Sequence, residues 1–500
     1  MLKILSAEQI KALDEYTIQH EPITSIDLME RACRAFVNWF TVHFDATNKV
    51  GIICGTGNNG GDGLGIARML LEWGYTVKVW IVRGTSYESS DFKINLQRLQ
   101  QKSEVHEITA TADKDVFTGY DILIDALFGY GLSRPVDGIF AQVINCCNKA
   151  DAIKVAVDIP SGLMADEPSA KGILKADYTV SFQLPKLAFL MPESYQYTGE
   201  WVVVDIGLNK KIIRESETGH CYITQKAVQK IVKPRAKFSH KGTYGHALLI
   251  AGSFGKLGAC ILASRAVLRT GVGLLTVHVP KCGYEILQSS VPEAMTQADS
   301  SATHFTEFSD VSKYDAVGIG PGLGQEEDSV KAFAKVLEQF QKPFVIDADA
   351  LNILATHREL MQLIPQNSIL TPHPKEFERL VGEWKNDFER LQKQKEFAKT
   401  LQCIIILKGA HTSIAAPDGQ VYFNSSGNPG MATGGTGDVL TGILTSLLAQ
   451  SYEPTEAAII GVYLHGLSAD LIVQERGMYG LIASDVVEFL PLAYKKLLRP

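Results

Sequence analysis

The stretch GNPGMATGGTGDVLTGIL, residues 427–444, sets Gly434, Gly435, Thr436 and Gly437 directly before Asp438, and an apolar run comes after it. Glycine loses more conformational freedom on folding than any other residue, so such a run marks backbone that must approach something closely. A helix beginning near Asp438 would aim free N–H groups and the positive end of its dipole at the turn. That arrangement favours an anion such as a phosphate. The same dipole favours the ionised form of Asp438, making it a competent proton acceptor. The plainer alternative is that Asp438 only caps the helix.

Other stretches of the second half carry related chemistry. CIIILKGAHT ends an apolar run in Lys408, Gly409, Ala410, His411 and Thr412. A cation at a sheet edge suits a phosphate or nucleotide, although it is also where a lysine reaches water. LTPHPKEFERL fixes His373 between Pro372 and Pro374, so the ring is presented in one orientation. VIDADALNIL places Asp347 and Asp349 two residues apart, either assisting a magnesium-bound nucleotide or capping the next helix. GIGPGLG, 318–324, allows close approach of a ligand around Gly322. The glycines of IAGSFGKLGAC (Gly252, Gly255, Gly258, just before Ala259) match neither the dinucleotide fingerprint nor the G-x-x-x-x-G-K-[ST] phosphate loop.

In the first half, VGIIC runs into GTGNNGGDGLG, where Gly55, Gly57 and Gly60 satisfy G-x-G-x-x-G. No acidic residue ends the next strand, which leads into Arg83, and Asn58, Asn59 and Asp62 exceed what a pyrophosphate turn needs. A tight strand-to-helix turn is the alternative. DILIDALFGYGLSRPVDG adds Asp125, Gly129, Gly131 and Arg134, and KVAVDIPSG adds Asp158 and Ser161. Each aspartate alone is an ordinary turn former. At the carboxyl ends of parallel strands, however, Asn59, Asp125 and Ser161 would converge as oxygen ligands for a hard cation, without enough charge for a divalent cage.

Elements to position these residues are legible in the same sequence. VGIIC (50–54), TVKVWIV (76–82), DILIDAL (121–127), IKVAVDI (153–159) and WVVVDI (201–206) read as strands of a parallel sheet covered on both faces. Segments near 7–20 and 24–44 have helical spacing, and Thr24 with Asp27 offers a capping box for the second. A polar, strand-poor passage comes next. A second alternation then runs through HALLIAG, GLLTVHV, YDAVGIG, PFVIDAD, SILTP and CIIILKG, and closes in the apolar helices VLTGILTSLLAQ and PTEAAIIGVYLHGLSADLI. The expected architecture is two α/β domains, 1–215 and 216–500.

With 500 residues, 46% hydrophobic and 21% charged, the chain is globular and long enough for more than one core. A net charge of −7 without basic runs gives no footprint for nucleic acid or for an anionic membrane. The eight cysteines include no C-x-x-C pair, which predicts reduced thiols and a cytoplasmic setting. The N-terminus lacks a signal-peptide core, and no apolar stretch reads as long enough to span a membrane.

GNNGGDG, DALFGYGLSRP and DIPSG, in that order, resemble the YjeF N-terminal domain family, whose members are NAD(P)HX epimerases of Rossmann-like fold. The resemblance implies that Asn58, Asn59, Gly60, Gly61 and Asp62, together with Gly129, Tyr130, Gly131, Leu132, Ser133, Arg134 and Pro135, hold the hydrated dinucleotide. It also implies that Asp158 contacts substrate and that Asn59, Asp125 and Ser161 bind potassium. GPGLG, DADALN, TPHPKE, KG and NPGMATGGTGD resemble the YjeF C-terminal family of ribokinase-like NAD(P)HX dehydratases. There the resemblance implies that Lys408 to Thr412 and the turn Gly434 to Gly437 contact ADP, which brings Mg2+. Ala259, Gly322, His373 and Asp438 would lie against the substrate, with Asp438 catalytic. The implied activity is repair of NADHX and NADPHX by epimerisation at C6 and ADP-dependent dehydration, in a homo-oligomer. A ribokinase-like kinase of a small metabolite, fused to a nucleotide-binding module, is the alternative.

Overall fold

A computed structural model describes residues 1–84, 86–113 and 115–498. The chain forms two compact units, one built on Leu2–Thr218 and the other on Gly219–Lys385 together with the chain from Glu389 onward.

The first unit is a seven-stranded sheet. Its strands are β1 (Lys49–Cys54), β2 (Thr76–Val82), β3 (Val105–Ile108), β4 (Ile122–Ala126), β5 (Ile153–Val157), β6 (Tyr178–Phe182) and β7 (Glu200–Val204). They lie in the order β3-β2-β1-β4-β5-β6-β7, every neighbouring pair parallel. Alternating residues serve opposite faces: Ile52 and Cys54 join the core that contains Phe36, Leu64 and Phe92, while Ile53 joins Trp80, Leu123 and Val143 on the other side. Both faces are therefore buried, which is why these strands read as apolar throughout. Helix α1 (Ala7–His20) starts on a Ser6–Gln9 capping box, and α2 (Ser25–His43) starts on Thr24, whose hydroxyl accepts from the Asp27 N–H. Strand order reverses between β1 and β4. The carboxyl ends of those two strands flank the crevice where such sheets bind ligands.

In the second unit, β8 (His220–Tyr222), β9 (His246–Ile250), β10 (Leu274–Val279), β11 (Met295–Ala298), β12 (Ala316–Ile319), β13 (Phe344–Ile346), β14 (Ile369–Leu370), β15 (Ile404–Leu407), β16 (Ser413–Ala415) and β17 (Val421–Phe423) share one sheet. They run β8-β17-β16-β15-β14-β13-β12-β9-β10-β11. The β15–β16–β17 pairings are antiparallel and the others parallel. One face is closed by α3 (Leu257–Arg269), α4 (Thr436–Ala449), α5 (Pro454–Arg476) and α6 (Ala483–Leu497), which share a core with Leu249 and Val277. α4 and α3 approach closely enough that a Cβ on Gly442 would lie 2.2 Å from the Ala263 carbonyl oxygen.

Strands absent from the sequence reading are β3, β6, β8, β11, β16 and β17, several of them short and polar. β8 lies inside the passage read as strand-poor. Such segments are extended because a neighbour pairs with them, which local propensity does not record. One expectation is corrected outright. α5 has 23 residues and a mean hydropathy of 1.4 in its most apolar window, long and apolar enough to cross a membrane. Some 72% of that window is buried in the protein, the pattern of a core helix packed on several sides.

Candidate active sites

In the first unit, β1 passes through Gly55 and Gly57 into a helix, Asn58–Glu72, whose first turn holds Asn59, Gly60 and Gly61. The glycines are required sterically. A Cβ on Gly55 would stand 2.1 Å from the Leu127 carbonyl oxygen, and one on Gly60 would stand 1.9 Å from that of Gly55. Asn59 is buried, its Nδ2 has no hydrogen-bond partner, and it lies 3.4 Å from where Gly129 would carry a Cβ. One residue before Gly129, the Phe128 N–H donates to Ser161 Oγ at 2.9 Å. Ser161 in turn donates its hydroxyl to Asp125 Oδ1 and its N–H to Asp125 Oδ2, both at 2.7 Å. The three residues read as cation ligands thus surround one turn. Burial pushes the Asp125 carboxyl up to about 6, against the Ser161 bonds that pull it down.

Asp158 comes directly after β5 with φ of 67°, a left-handed conformation that is strained for a residue other than glycine. Phe182 N–H (3.0 Å), Ser181 Oγ (3.4 Å) and Lys186 Nζ (2.5 Å) converge on its Oδ1. Lys186 is fully buried and also donates to Ser181 Oγ at 2.9 Å. Its ammonium sits 6.0 Å from the centre of the Tyr130 ring, and the Tyr130 hydroxyl donates to Asp14 Oδ2 at 2.9 Å. Asp62 is half-buried, and desolvation with the charges of Asp158, Asp14 and Asp91 holds its carboxyl well above the usual range. Gly131, Ser133, Arg134 and Pro135 form an exposed loop with Leu132 half-buried. Sequence reasoning missed Lys186 and Asp14. Lys186 lies in an apolar stretch, and Asp14 sits among the ordinary charges of α1.

In the second unit, Asp347 comes directly after β13 and occupies the N-cap position of the helix Ala348–Thr356 without capping it. Its Oδ1 accepts from Lys408 Nζ at 2.9 Å and its Oδ2 from Thr441 Oγ1 at 2.7 Å. Asp349 accepts instead from the Gly324 N–H (2.9 Å) and Lys256 Nζ (3.2 Å). Neither carboxylate is a cap. Burial works to lower the Lys408 ammonium, but Asp347, Glu376 and Asp438 outweigh it and hold it above its ordinary value.

His373 is the N-cap of the helix Pro374–Val381. Its Nδ1 accepts from the Lys375 and Glu376 N–H groups at 3.1 and 3.2 Å, and its own N–H donates to Glu376 Oε2 at 2.8 Å. That fixes the proton on Nε2, 3.4 Å from Glu376 Oε1. Burial, then Lys408, keeps the ring's pKa low. Gly409 to Thr412 close a turn through the Thr412 hydroxyl, which donates to the Gly409 carbonyl at 2.9 Å, and His411 Nδ1 lies 3.2 Å from the Asn424 carbonyl oxygen.

The glycine turn leads into α4, which starts at Thr436 on Gly435, a left-handed N-cap with φ of 91° and no side-chain cap. Asp438 is the third residue of the helix, so the capping alternative fails. The leading amides have no side chain to receive them. A Cβ on Gly437 would lie 3.4 Å from Lys408 Nζ, and one on Gly434 would meet nothing within 4 Å. The expectation that the helix dipole favours ionised Asp438 is also corrected. Burial, reinforced by Asp347 and Asp349 and opposed by Lys408, pushes its carboxyl up to about 7. Desolvation here outweighs the helix dipole.

Asp438, Ala259 and Gly322 line one cavity of about 420 Å³ together with Lys256, Asp349 and Glu376. His373 reaches that wall through Glu376, and Lys408 stands between Asp347 and the glycine turn. Glu376 went unread in the sequence because its role depends on a lysine 32 positions away.

Two family models match this chain: a YjeF-related protein N-terminus over residues 25–188 and an NAD(P)H-hydrate dehydratase over residues 247–492. The chain is 38% identical to a bifunctional NAD(P)H-hydrate repair enzyme of Moorella thermoacetica, covering 99% of this chain and 97% of the relative. It is 35% identical to the same-named protein of Escherichia coli, over 94% and 89%. A crystal structure of a ribokinase-like superfamily protein from Enterococcus faecalis matches 57% of this chain and 99% of its own, at 28% identity and a TM-score of 0.50.

Proposed function

This chain belongs to the family of bifunctional NAD(P)H-hydrate repair enzymes, and on that premise we propose how its two sites divide the work. The Rossmann-like first domain epimerises NADHX and NADPHX at C6. The ribokinase-like second domain dehydrates the S form to NADH or NADPH at the expense of ADP. The domains are proposed to be independent, with a junction near residue 215.

At the first site, the loop Gly129–Pro135 and the helix start Asn58–Asp62 hold the dinucleotide, and Asp158 presents its unshared Oδ2 to the ring. C6 bears a hydroxyl beside the ring nitrogen, so opening is assisted by that nitrogen, and Asp158 accepts and returns the hydroxyl proton. Lys186 fixes the carboxylate in position from its other oxygen. The donor set Asn59 Oδ1, Asp125 and Ser161 fits potassium: oxygen ligands around one turn with a single formal charge. When bound, the ion would tie the Asn59 turn to the Phe128 turn and favour ionised Asp125.

At the second site, the uncapped amides of Gly434 to Gly437, the Lys408 ammonium and the turn Gly409–Thr412 receive the nucleotide phosphates. Mg2+ would be held mainly by those phosphates, because Asp347 and Asp349 already accept from protein donors. Hydroxide is a poor leaving group. Asp438 takes the C6 hydroxyl proton as that oxygen attacks the β-phosphorus of ADP, breaking the bridging P–O bond and releasing AMP. The C6–O bond then breaks with the push of the ring nitrogen, releasing inorganic phosphate, and loss of a C5 proton to water restores the dihydropyridine. The buried thiols of Cys33, Cys54, Cys147, Cys260 and Cys403 support a reducing, cytoplasmic setting.

The observation that carries this reading is Asp438: a carboxyl poised near neutral pH, in the wall of a cavity, beside an uncapped glycine turn. The test mixes the protein with both epimers of NADHX and ADP and tracks NADH absorbance. Complete conversion of both epimers is expected. Conversion of one epimer only would remove the epimerase, and a phosphorylated small metabolite without NADH would favour a kinase.

A further inference from the structure

The reading of Asp158 leaves one proton unassigned. When the C6–N1 bond opens, its electron pair goes to N1, which must gain a proton as the C6 hydroxyl loses one. A single carboxylate serves only one of these transfers. The structure holds a second titratable pair in the same cluster, Tyr130 and Asp14, to which the reading above gives no proton transfer.

Tyr130 is half-buried in the loop that borders the site, and its hydroxyl is bonded to Asp14 Oδ2 at 2.9 Å. Its ring faces the Lys186 ammonium at 6.0 Å, and the same ammonium is bonded to Asp158. Tyr130, Lys186 and Asp158 are thereby one connected group, with Asp14 behind Tyr130. The groups facing Asp14 are Tyr130, Asp158, Lys186 and Glu15, and Asp62 lies near enough to feel its charge. The Lys186 ammonium is bonded to Asp158 and lowers the Asp14 carboxyl, while desolvation and the charges of Asp158 and Asp14 raise that of Asp62.

We propose that Tyr130 is a second catalytic residue of the epimerase site, moving a proton at the ring nitrogen while Asp158 moves one at the C6 oxygen, with Asp14 as the positioning residue behind it. This rests on the epimerase reading of the first site. In the acid form of Asp14 the 2.9 Å bond reverses: the carboxyl donates to Tyr130 Oη and frees the phenol hydrogen for N1. Opening then breaks C6–N1, forms the C6 carbonyl, passes the hydroxyl proton to Asp158 and passes the Tyr130 proton to N1, and Asp14 reprotonates Tyr130. Rotation about C5–C6 exposes the other carbonyl face. Closure returns both protons by the same routes, and no oxidant or co-reactant is consumed.

Burial first, and then the charge of Asp158, raise the Asp14 carboxyl to about 6, against the Tyr130 bond and Lys186. A bound anionic dinucleotide raises it further by the same two causes. The acid form is the active one, so the contribution of this pair is present at low pH and lost as pH rises through the bound-state pKa.

The test measures interconversion of chromatographically separated NADHX epimers by the full chain, without ADP, across pH. Tyr130→Phe is expected to lower kcat about 10²-fold with KM little changed, since the ring over Lys186 is kept. Asp14→Asn is expected to lower kcat and abolish the alkaline limb of the wild-type profile. The double variant should be no slower than Tyr130→Phe alone, because both act on one path. A near-normal kcat in Tyr130→Phe, a change confined to KM, or additive losses would each overturn the proposal. Thermal melts show whether each variant is folded, and if Asp14→Asn is not, Tyr130→Phe decides. Asp158→Asn separates the two readings: full activity there with loss in Tyr130→Phe removes Asp158 as the base and leaves Tyr130 standing. The reverse pattern removes Tyr130.

Discussion

Each half of the molecule places a lysine against an aspartate at the end of a parallel strand, but the two pairs are built to different ends. Lys186 and Asp158 have side chains only 1% and 4% exposed, and Lys186 finds four acceptors within the protein. Lys408 keeps 23% of its side chain exposed beside an Asp347 that is 2% exposed, and it faces the glycine turn. The first pair locks a carboxylate in place with one oxygen left for substrate. The second leaves its cation available to an incoming anion. A neighbouring carboxylate without a bonded cation, Asp438, is then free to titrate near neutrality. Position along the fold is similar, and solvent access and the count of acceptors set the role.

The sharpest break of this comparison is Asp438→Asn. It keeps the shape and removes the base, so dehydration should fall about 10²–10⁴-fold while epimerisation is untouched. Nucleotide affinity should hold or tighten as a negative charge beside the phosphates is lost. In the wild type, dehydration should rise as pH climbs through about 7, because the ionised carboxylate is the acceptor, and this limb should vanish in the variant. NADH absorbance, nucleotide titration and epimer separation on one preparation check all three.

Lys186→Met tests the locked pair. Removing one partner of a buried ion pair leaves an uncompensated charge at a cost of about 3–5 kcal/mol, so the melting of the first domain should drop and epimerisation should be lost. Lys408→Met removes a more exposed cation. It should weaken nucleotide binding and dehydration while destabilising its own domain less. Equal losses of stability in the two variants would dissolve the distinction between a locking and a receiving lysine.

A smaller effect concerns packing. Gly442→Ala forces α4 from α3, where the added Cβ would meet a carbonyl oxygen, and should destabilise the second domain by about 1–3 kcal/mol without moving the first transition. Asp125→Ala, or exchange of potassium for tetramethylammonium, should slow epimerisation alone, and unchanged rates in both would remove the ion. The least change is expected on dividing the chain. A cut after Thr218, which keeps the Thr218 hydroxyl bonded to the Ile4 carbonyl, should leave two soluble fragments each with its own activity.

Much of the fold was legible because long apolar runs alternate with helical spacing, as in β1, β2 and α2. The glycine turns were legible because a dense glycine run is so costly in folding entropy that it marks close backbone approach. The small strands β16 and β17 were not, since three residues acquire an extended form only through their neighbours.

By itself the sequence determined the two α/β alternations, the strand-end positions of Asp125, Asp158, Asp347 and Lys408, and the glycine turn before Asp438. Each of these is set by local pattern. Only the tertiary structure decided that Lys186 clamps Asp158, that Asp14 stands behind Tyr130 and that Glu376 reaches Lys408. It also decided that burial raises the Asp438 carboxyl to about 7, where the helix dipole alone favours a plain anion. Those outcomes depend on how much water each group retains and which charges stand near it, and residues 28, 32, 61 and 116 positions apart in the chain become neighbours only when the sheets close.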